Sequence, residues 1–257
     1  MLGARELWYI NLEERIKVRS AELADLPPPR KRKGPIIFLV GSSLLHEAAA
    51  STVELGRRIS PDAKVVIYAR PSAPAAWVSR ILPVLARAHP DLIVLEHDLV
   101  SPFFEDQNFG FMDSLYFAVS MLRHGTAYAP RDDGWRVCWG RRKSLPEALQ
   151  KFSAIRVSDP ASLTELTTIK ELRQQGIRVV IIGMPRAREF EEARPDLRRW
   201  RKQIEAAMRA EGFAVWIPPS EWTRDDFCDY SHLNDRGRVR FEPWFASRIV
   251  QELDRAK

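Results

Sequence analysis

FLVGSSLLHEAAA, residues 38–50, starts inside a short apolar run, passes through Gly-Ser-Ser and continues as a stretch compatible with a helix. The run itself, PIIFLV at 35–40, is continuous rather than alternating, and so reads as a strand covered on both faces. Four runs of the same kind follow: KVVIYA at 64–69, DLIVLEH at 91–97, IRVVIIG at 177–183 and FAVWIP at 213–218. Helical stretches lie between and after them, one through Arg58, then 73–88, about 162–175, about 195–211 and 236–255. Strands alternating with helices predict a three-layer α/β/α domain around a five-stranded parallel sheet. Ligands of such sheets lie beyond the carboxyl ends of the strands, so the residues just after each strand are the ones to inspect.

Outside this alternation stand two segments. Residues 4–24 read as a charged amphipathic helix with Leu7, Ile10, Leu12, Ile16 and Val18 as its apolar set, and LPPPRKRKG at 26–34 as an exposed linker. That gives an N-terminal helix and linker over 1–34 and an α/β domain over 35–257. The section from about 98 to 160 holds a helix around Met112–Arg123 and is otherwise rich in aromatic, Gly and basic residues, including Phe103, Phe104, Trp135 and Trp139. So long a departure reads as an insertion, of the kind that often carries function. Trp77 and Trp216, within apolar runs, are assigned to the core.

At 257 residues with 45% hydrophobic residues, the chain has the composition of one globular domain. Its net charge of +6 is concentrated in the runs 30–33, 141–143 and 198–202, which are read as solvated faces. No RNA- or DNA-reading motif accompanies them, so no specific nucleic-acid partner is expected. The two cysteines, Cys138 and Cys228, are compatible with two free thiols or with one long-range disulfide. His46, His89 and His124 have no partners at metal-ligand spacing, and no phosphate- or dinucleotide-binding glycine pattern occurs, so neither metal nor cofactor is expected. No apolar stretch reaches the roughly 18–20 residues that span a bilayer, and the N-terminus lacks the apolar centre of a secretory signal. A monomer, cytoplasmic as written, is the expectation, or a periplasmic or cell-envelope protein if an N-terminal anchor has been trimmed.

Four sets of residues follow the strands: Gly41-Ser42-Ser43, Glu96-His97-Asp98, Met184-Pro185-Arg186, and DDFCDYSHLNDRG at 225–237. The last places Asp229 three residues before His232, in a polar loop ahead of the closing helix. A serine hydroxyl attacks only when a base takes its proton, and histidine serves best near neutral pH. The histidine in turn needs a carboxylate to fix its tautomer and stabilise the imidazolium. With a serine pair after the first strand and Asp-x-x-His before the last helix, the chain carries both halves of such a triad.

This combination resembles the SGNH hydrolase superfamily, over roughly residues 35–255 with specific motifs only at the two ends. GSS at 41–43 is similar to the family's first block, with Ser42 in place of the usual Asp, and DYSH at 229–232 is similar to its last. The likeness is greatest to the divergent branch that modifies bacterial cell-surface polymers, the alginate-acetylation and D-alanyl-transfer proteins. The resemblance implies Ser43 as nucleophile, His232 as general base and Asp229 as its orienting acid, with Ser42 as the competing nucleophile. It implies an esterase or O-acyltransferase acting on acyl, typically acetyl, esters of a carbohydrate or polysaccharide, with a membrane-bound acyl-transfer partner as a further expectation. The middle blocks depart from the family. RPSAPAA at 70–76 offers no second-block Gly, and Glu96-His97-Asp98 stands where Gly-x-Asn-Asp is usual. Ser42, His97, Asp98 and Asn234 are therefore the candidates for oxyanion or substrate binding, with the Ser43 N–H as an alternative oxyanion donor. A non-catalytic binding or assembly protein of surface-polysaccharide production is the alternative.

Overall fold

The structure, a computed structural model, describes residues 32–49, 51–69, 75–100, 144–152, 165–219 and 221–255. All five apolar runs form strands: β1 (Ile36–Gly41), β2 (Lys64–Ala69), β3 (Leu92–Glu96), β4 (Val179–Ile182) and β5 (Ala214–Trp216). They pair in parallel throughout, in the order β2-β1-β3-β4-β5. Every residue of β1, β3 and β4 is buried, which is why their sequences do not alternate.

The described helices are α1 (Ser43–Ala48), α2 (Thr52–Ile59), α3 (Ala75–Ala86), α4 (Leu145–Phe152), α5 (Leu166–Gln174), α6 (Arg188–Ala193), α7 (Pro195–Ala210) and α8 (Asp235–Asp254). From β1 the chain moves one way along the sheet to β2, then the other way through β3, β4 and β5. Right-handed crossovers put helices of opposite progression on opposite faces. Accordingly α2 packs with α8, and α3 packs with α5. The result is a three-layer α/β/α fold in the flavodoxin-type strand order. Its switch point lies between β1 and β3, the place where folds of this class bind ligands beyond the carboxyl edge. Trp77 and Trp216 are buried in the core, as their apolar context requires.

Several details differ from the sequence reading. The helical stretch through Arg58 is two helices, because the Ser51 side chain accepts from the Glu54 N–H and restarts the chain as α2. α4 falls inside the presumed irregular insertion. Ser144 and Glu147 form its capping box, the Glu147 carboxylate accepting from the Ser144 N–H at 2.6 Å. The end of the linker is docked rather than free: Arg32 donates to the His89 and Ala88 carbonyls at 3.0 and 3.1 Å and lies 3.5 Å from Asp91. The helix expected over 4–24, the linker before residue 32, the helix expected at 112–123 and the aromatic residues Phe103, Phe104, Trp135 and Trp139 lie outside the described residues. No helix among the described residues is long and apolar enough to cross a membrane.

Candidate active site

Ser42 and Ser43 close β1 and open α1. Ser42 has extended backbone and is the N-cap, its hydroxyl accepting from the Leu44 N–H at 3.1 Å. The same hydroxyl donates to Glu96 Oε1 at 2.7 Å, and the Ser42 N–H donates to Glu96 Oε2 at 2.8 Å. Ser42 is thereby bound to the end of β3, with both its polar groups engaged. Ser43 is the first residue inside the helix, where N–H groups have no intrahelical acceptor. Gly41 is required here by close approach. A Cβ on it would lie 2.8 Å from Glu96 Oε2 and 2.6 Å from the Leu45 Cβ.

The second half of the site is a tight loop between β5 and α8. Cys228 N–H donates to the His232 carbonyl at 2.8 Å, and Phe227 pairs with Leu233 in an antiparallel bridge, so residues 228–232 form the turn. Tyr230 sits at its tip in the left-handed region, φ 74°. Its ring lies 4.3 Å under the Arg224 guanidinium, and its carbonyl accepts from the Ala187 N–H at 2.9 Å, fixing the loop against the residues after β4. Asp229 Oδ1 accepts from the backbone N–H groups of Ser231 and His232 at 3.3 and 3.0 Å, so the carboxylate is oriented by its own turn.

These two halves meet. Ser43 Oγ lies 2.9 Å from His232 Nε2, and His232 Nδ1 lies 2.9 and 3.0 Å from the two oxygens of Asp229. A carboxylate beside Nδ1 selects the Nδ1–H tautomer and leaves Nε2 as acceptor for the Ser43 hydroxyl. Burial pushes the Asp229 pKa up. The His232 ring and the two backbone donors more than reverse this, leaving it well below the ordinary carboxylate value. His232 and Asp229 side chains keep 13% and 15% exposure, so the site is not closed off from solvent.

The remaining candidates are placed differently. His97 and Asp98 are buried in a polar chain beneath the loops. His97 Nε2 accepts from Arg201 Nε at 3.1 Å, while its Nδ1 lies 2.8 Å from Asp98 Oδ1, close for charge pairing but poorly aligned as a hydrogen bond. Completely buried and with Nε2 taken by Arg201, His97 is not placed to be the oxyanion donor considered from sequence. Asp98 Oδ2 accepts from Arg186 at 2.7 Å, and Arg186 also donates to Ser231 Oγ at 2.9 Å. Burial raises the Asp98 pKa, but the His97 ring and the Arg186 guanidinium bring it far below the usual range. Asn234 is the N-cap of α8. It accepts from the Gly237 N–H at 3.0 Å and donates to the Asp225 carbonyl at 2.7 Å, which corrects its assignment to substrate or oxyanion binding. Asn234→Ala is expected to lower stability by about 1 kcal/mol, read as a lower urea midpoint at unchanged slope.

Sequence reasoning missed Arg186, Arg201 and the role of Glu96. Arg201 belongs to the run 198–202 read as a solvated face. Arg198, Arg199 and Lys202 are exposed, but Trp200 and Arg201 point inward, and Arg201 reaches Glu191 and the Met184 carbonyl as well as His97. Its spacing was the signal: Leu197, Trp200, Arg201, Ile204 and Met208 form the buried stripe of α7. Cys228, beside the acid of the triad, is disulfide-bonded, while Cys138 lies outside the described residues. Among the described residues no group of His, Cys, Asp and Glu is placed to hold a metal ion. No family model matches the chain, and no curated protein matches it either. What fold and geometry define, independently of any relative, is a doubly wound α/β domain with a Ser-His-Asp triad at its switch point.

Proposed function

We propose that this protein is a serine-dependent acyl-ester enzyme, an esterase or O-acyltransferase acting on acyl esters of a carbohydrate. The observation that carries the reading is the unbroken chain Ser43–His232–Asp229, at 2.9 Å per link, assembled from two loops far apart in sequence. In the proposed reaction Ser43 Oγ attacks the ester carbonyl carbon as its proton passes to His232 Nε2. The tetrahedral intermediate then expels the alkoxide, which takes that proton, and an acyl-Ser43 remains. Water or a sugar hydroxyl next attacks the acyl carbon, giving its proton to His232, which passes it to the departing Ser43 Oγ as the acyl C–O bond breaks. The Ser43 N–H, at the start of α1, is the proposed oxyanion donor.

The carbohydrate assignment draws on the resemblance to surface-polymer modifying proteins and on the net charge of +6, which suits an anionic glycan. A membrane-bound acyl-transfer partner and a periplasmic or cell-envelope location belong to the same reading. The disulfide at Cys228 supports an oxidising compartment.

A fluorophosphonate probe followed by peptide mass spectrometry tests the enzyme reading. One adduct is expected, on Ser43, and none on Ser42 or on the Ser43→Ala variant. Supplying an oligosaccharide with p-nitrophenyl acetate then separates transfer to sugar from transfer to water. A second reading, a non-catalytic assembly protein, is favoured by one observation. The end of β3 gives its side chains to a buried network rather than to an oxyanion site. Absence of any adduct on Ser43, with no turnover above the Ser43→Ala control, would establish that alternative.

A further inference from the structure

Glu96, the last residue of β3, is completely buried and both of its carboxylate oxygens are spent on one residue, Ser42. Oε2 holds the Ser42 N–H and Oε1 holds the Ser42 hydroxyl, which in turn caps α1 through Leu44. The grip therefore spans the residue whose carbonyl begins α1 and whose peptide bond leads directly into Ser43. Gly41 leaves the space this approach needs, since a Cβ there would meet Glu96 at 2.8 Å. Burying a carboxylate is costly, and a buried acid that serves only packing would be replaced by an apolar residue at no loss.

We infer that Glu96 is the positioning residue of the nucleophile turn, and that its carboxylate form is the one that seats Ser43 for attack. This rests on the proposed triad chemistry. The donor pattern selects the charged form. Ser42 presents two protons to Glu96, and a proton on Oε2 would oppose the Ser42 N–H. A proton on Oε1 would force the Ser42 hydroxyl to turn its own proton away from its acceptor.

The groups facing Glu96 set when it is charged. Ser42, from the turn after β1, stabilises the carboxylate. Asp98, from its own segment, opposes it, and Arg186, from the segment after β4, favours it while being bound directly to Asp98. Among the described residues no cation forms an ion pair with Glu96 itself. Burial, then the Asp98 charge, push its pKa up to about 7 against the two Ser42 hydrogen bonds and the Arg186 charge. The turn that carries Ser43 is therefore expected to lose its grip as pH falls through neutrality.

The test uses the full chain, with two readouts on wild type, Glu96→Gln, Glu96→Ala and Ser42→Ala, each checked for native circular dichroism. The first is the rate of fluorophosphonate labelling of Ser43 against pH. Wild type should show an acid limb near neutrality to which Glu96 contributes one ionisation, and Glu96→Gln a limb shallower by that one ionisation. Labelling should fall by about tenfold in Glu96→Gln and about 10²-fold in Glu96→Ala, the scale of a small misplacement of a reacting group. The second readout is the Ser42 and Ser43 amide resonances. In wild type they should titrate near neutrality, and in Glu96→Gln that transition should vanish. Titrating amides without any adduct on wild type would leave the positioning role standing and remove the enzyme reading. Amides indifferent to pH, or a Glu96→Ala protein that labels at the wild-type rate, would overturn the inference.

Discussion

Ser43→Ala is expected to lower kcat on an acyl ester by on the order of 10⁴–10⁶, and Asp229→Asn by about 10⁴, each with KM little changed. The serine loss removes the attacking atom. The asparagine effect has a different origin. Both Asp229 oxygens lie within 3.0 Å of His232 Nδ1, so they hold a ring whose single proton is on that nitrogen. An Asn amide can present its N–H₂ to Nδ1, which draws the proton onto Nε2. A donor then faces the Ser43 hydroxyl where an acceptor is needed, with the fold unaltered. Initial-rate kinetics on p-nitrophenyl acetate, with circular dichroism as control, read both effects. An Asp229→Asn rate within a few-fold of wild type would mean that His232 is oriented by some other group. The same pair carries a pH consequence for stability. The folded pKa of Asp229 lies below its unfolded value of about 3.9, so its contribution is complete above that value. It is lost as pH falls from there through the lowered folded pKa.

The sheet and the Asp-His half of the triad were legible in sequence for one reason: each is written in contiguous residues. The strands are uninterrupted apolar runs because both faces of β1, β3 and β4 are covered, and Asp229 and His232 share one turn. What was not legible depends on which way a side chain faces. Arg201 is one of five consecutive basic or aromatic residues, and only the helical phase of α7 turns it inward. Composition and spacing alone do not separate Ser42 from Ser43; only the resemblance favoured Ser43. They differ because the strand-to-helix turn directs one hydroxyl to Glu96 and the other to His232. Asn234 carried a readable signal, a capping residue just ahead of a helix with Gly237 three positions on, but its place two residues after His232 drew the assignment toward the site. α6, at six residues, is too short to show a periodicity.

Arg186→Met is expected to be the most destabilising single change beneath the site, about 3–5 kcal/mol, because it leaves Asp98 charged in a place where water does not reach. The Arg186 and Asp98 side chains keep only 2% and 4% exposure and meet at 2.7 Å. His97 does not take over the lost bond: Arg201 Nε–H occupies its Nε2, and its Nδ1, 2.8 Å from Asp98 Oδ1, is poorly aligned for a hydrogen bond. The Asp98→Asn/Arg186→Met double variant removes both charges together. Its destabilisation should fall well short of the sum of the single changes, with a coupling energy of roughly 1–3 kcal/mol from urea midpoints at constant slope. A coupling near zero would show that Arg186 is compensated elsewhere and that Asp98 is not its partner in solution. Because Arg186 also donates to Ser231, the residue before His232, its loss acts on chemistry as well as on stability. Asp98 and Glu96 thus act from one strand end on the two halves of the triad, Asp98 on the His232 loop through Arg186 and Glu96 on the Ser43 turn. The buried acids at the end of β3 are the groups proposed to hold Ser43 and His232 in register.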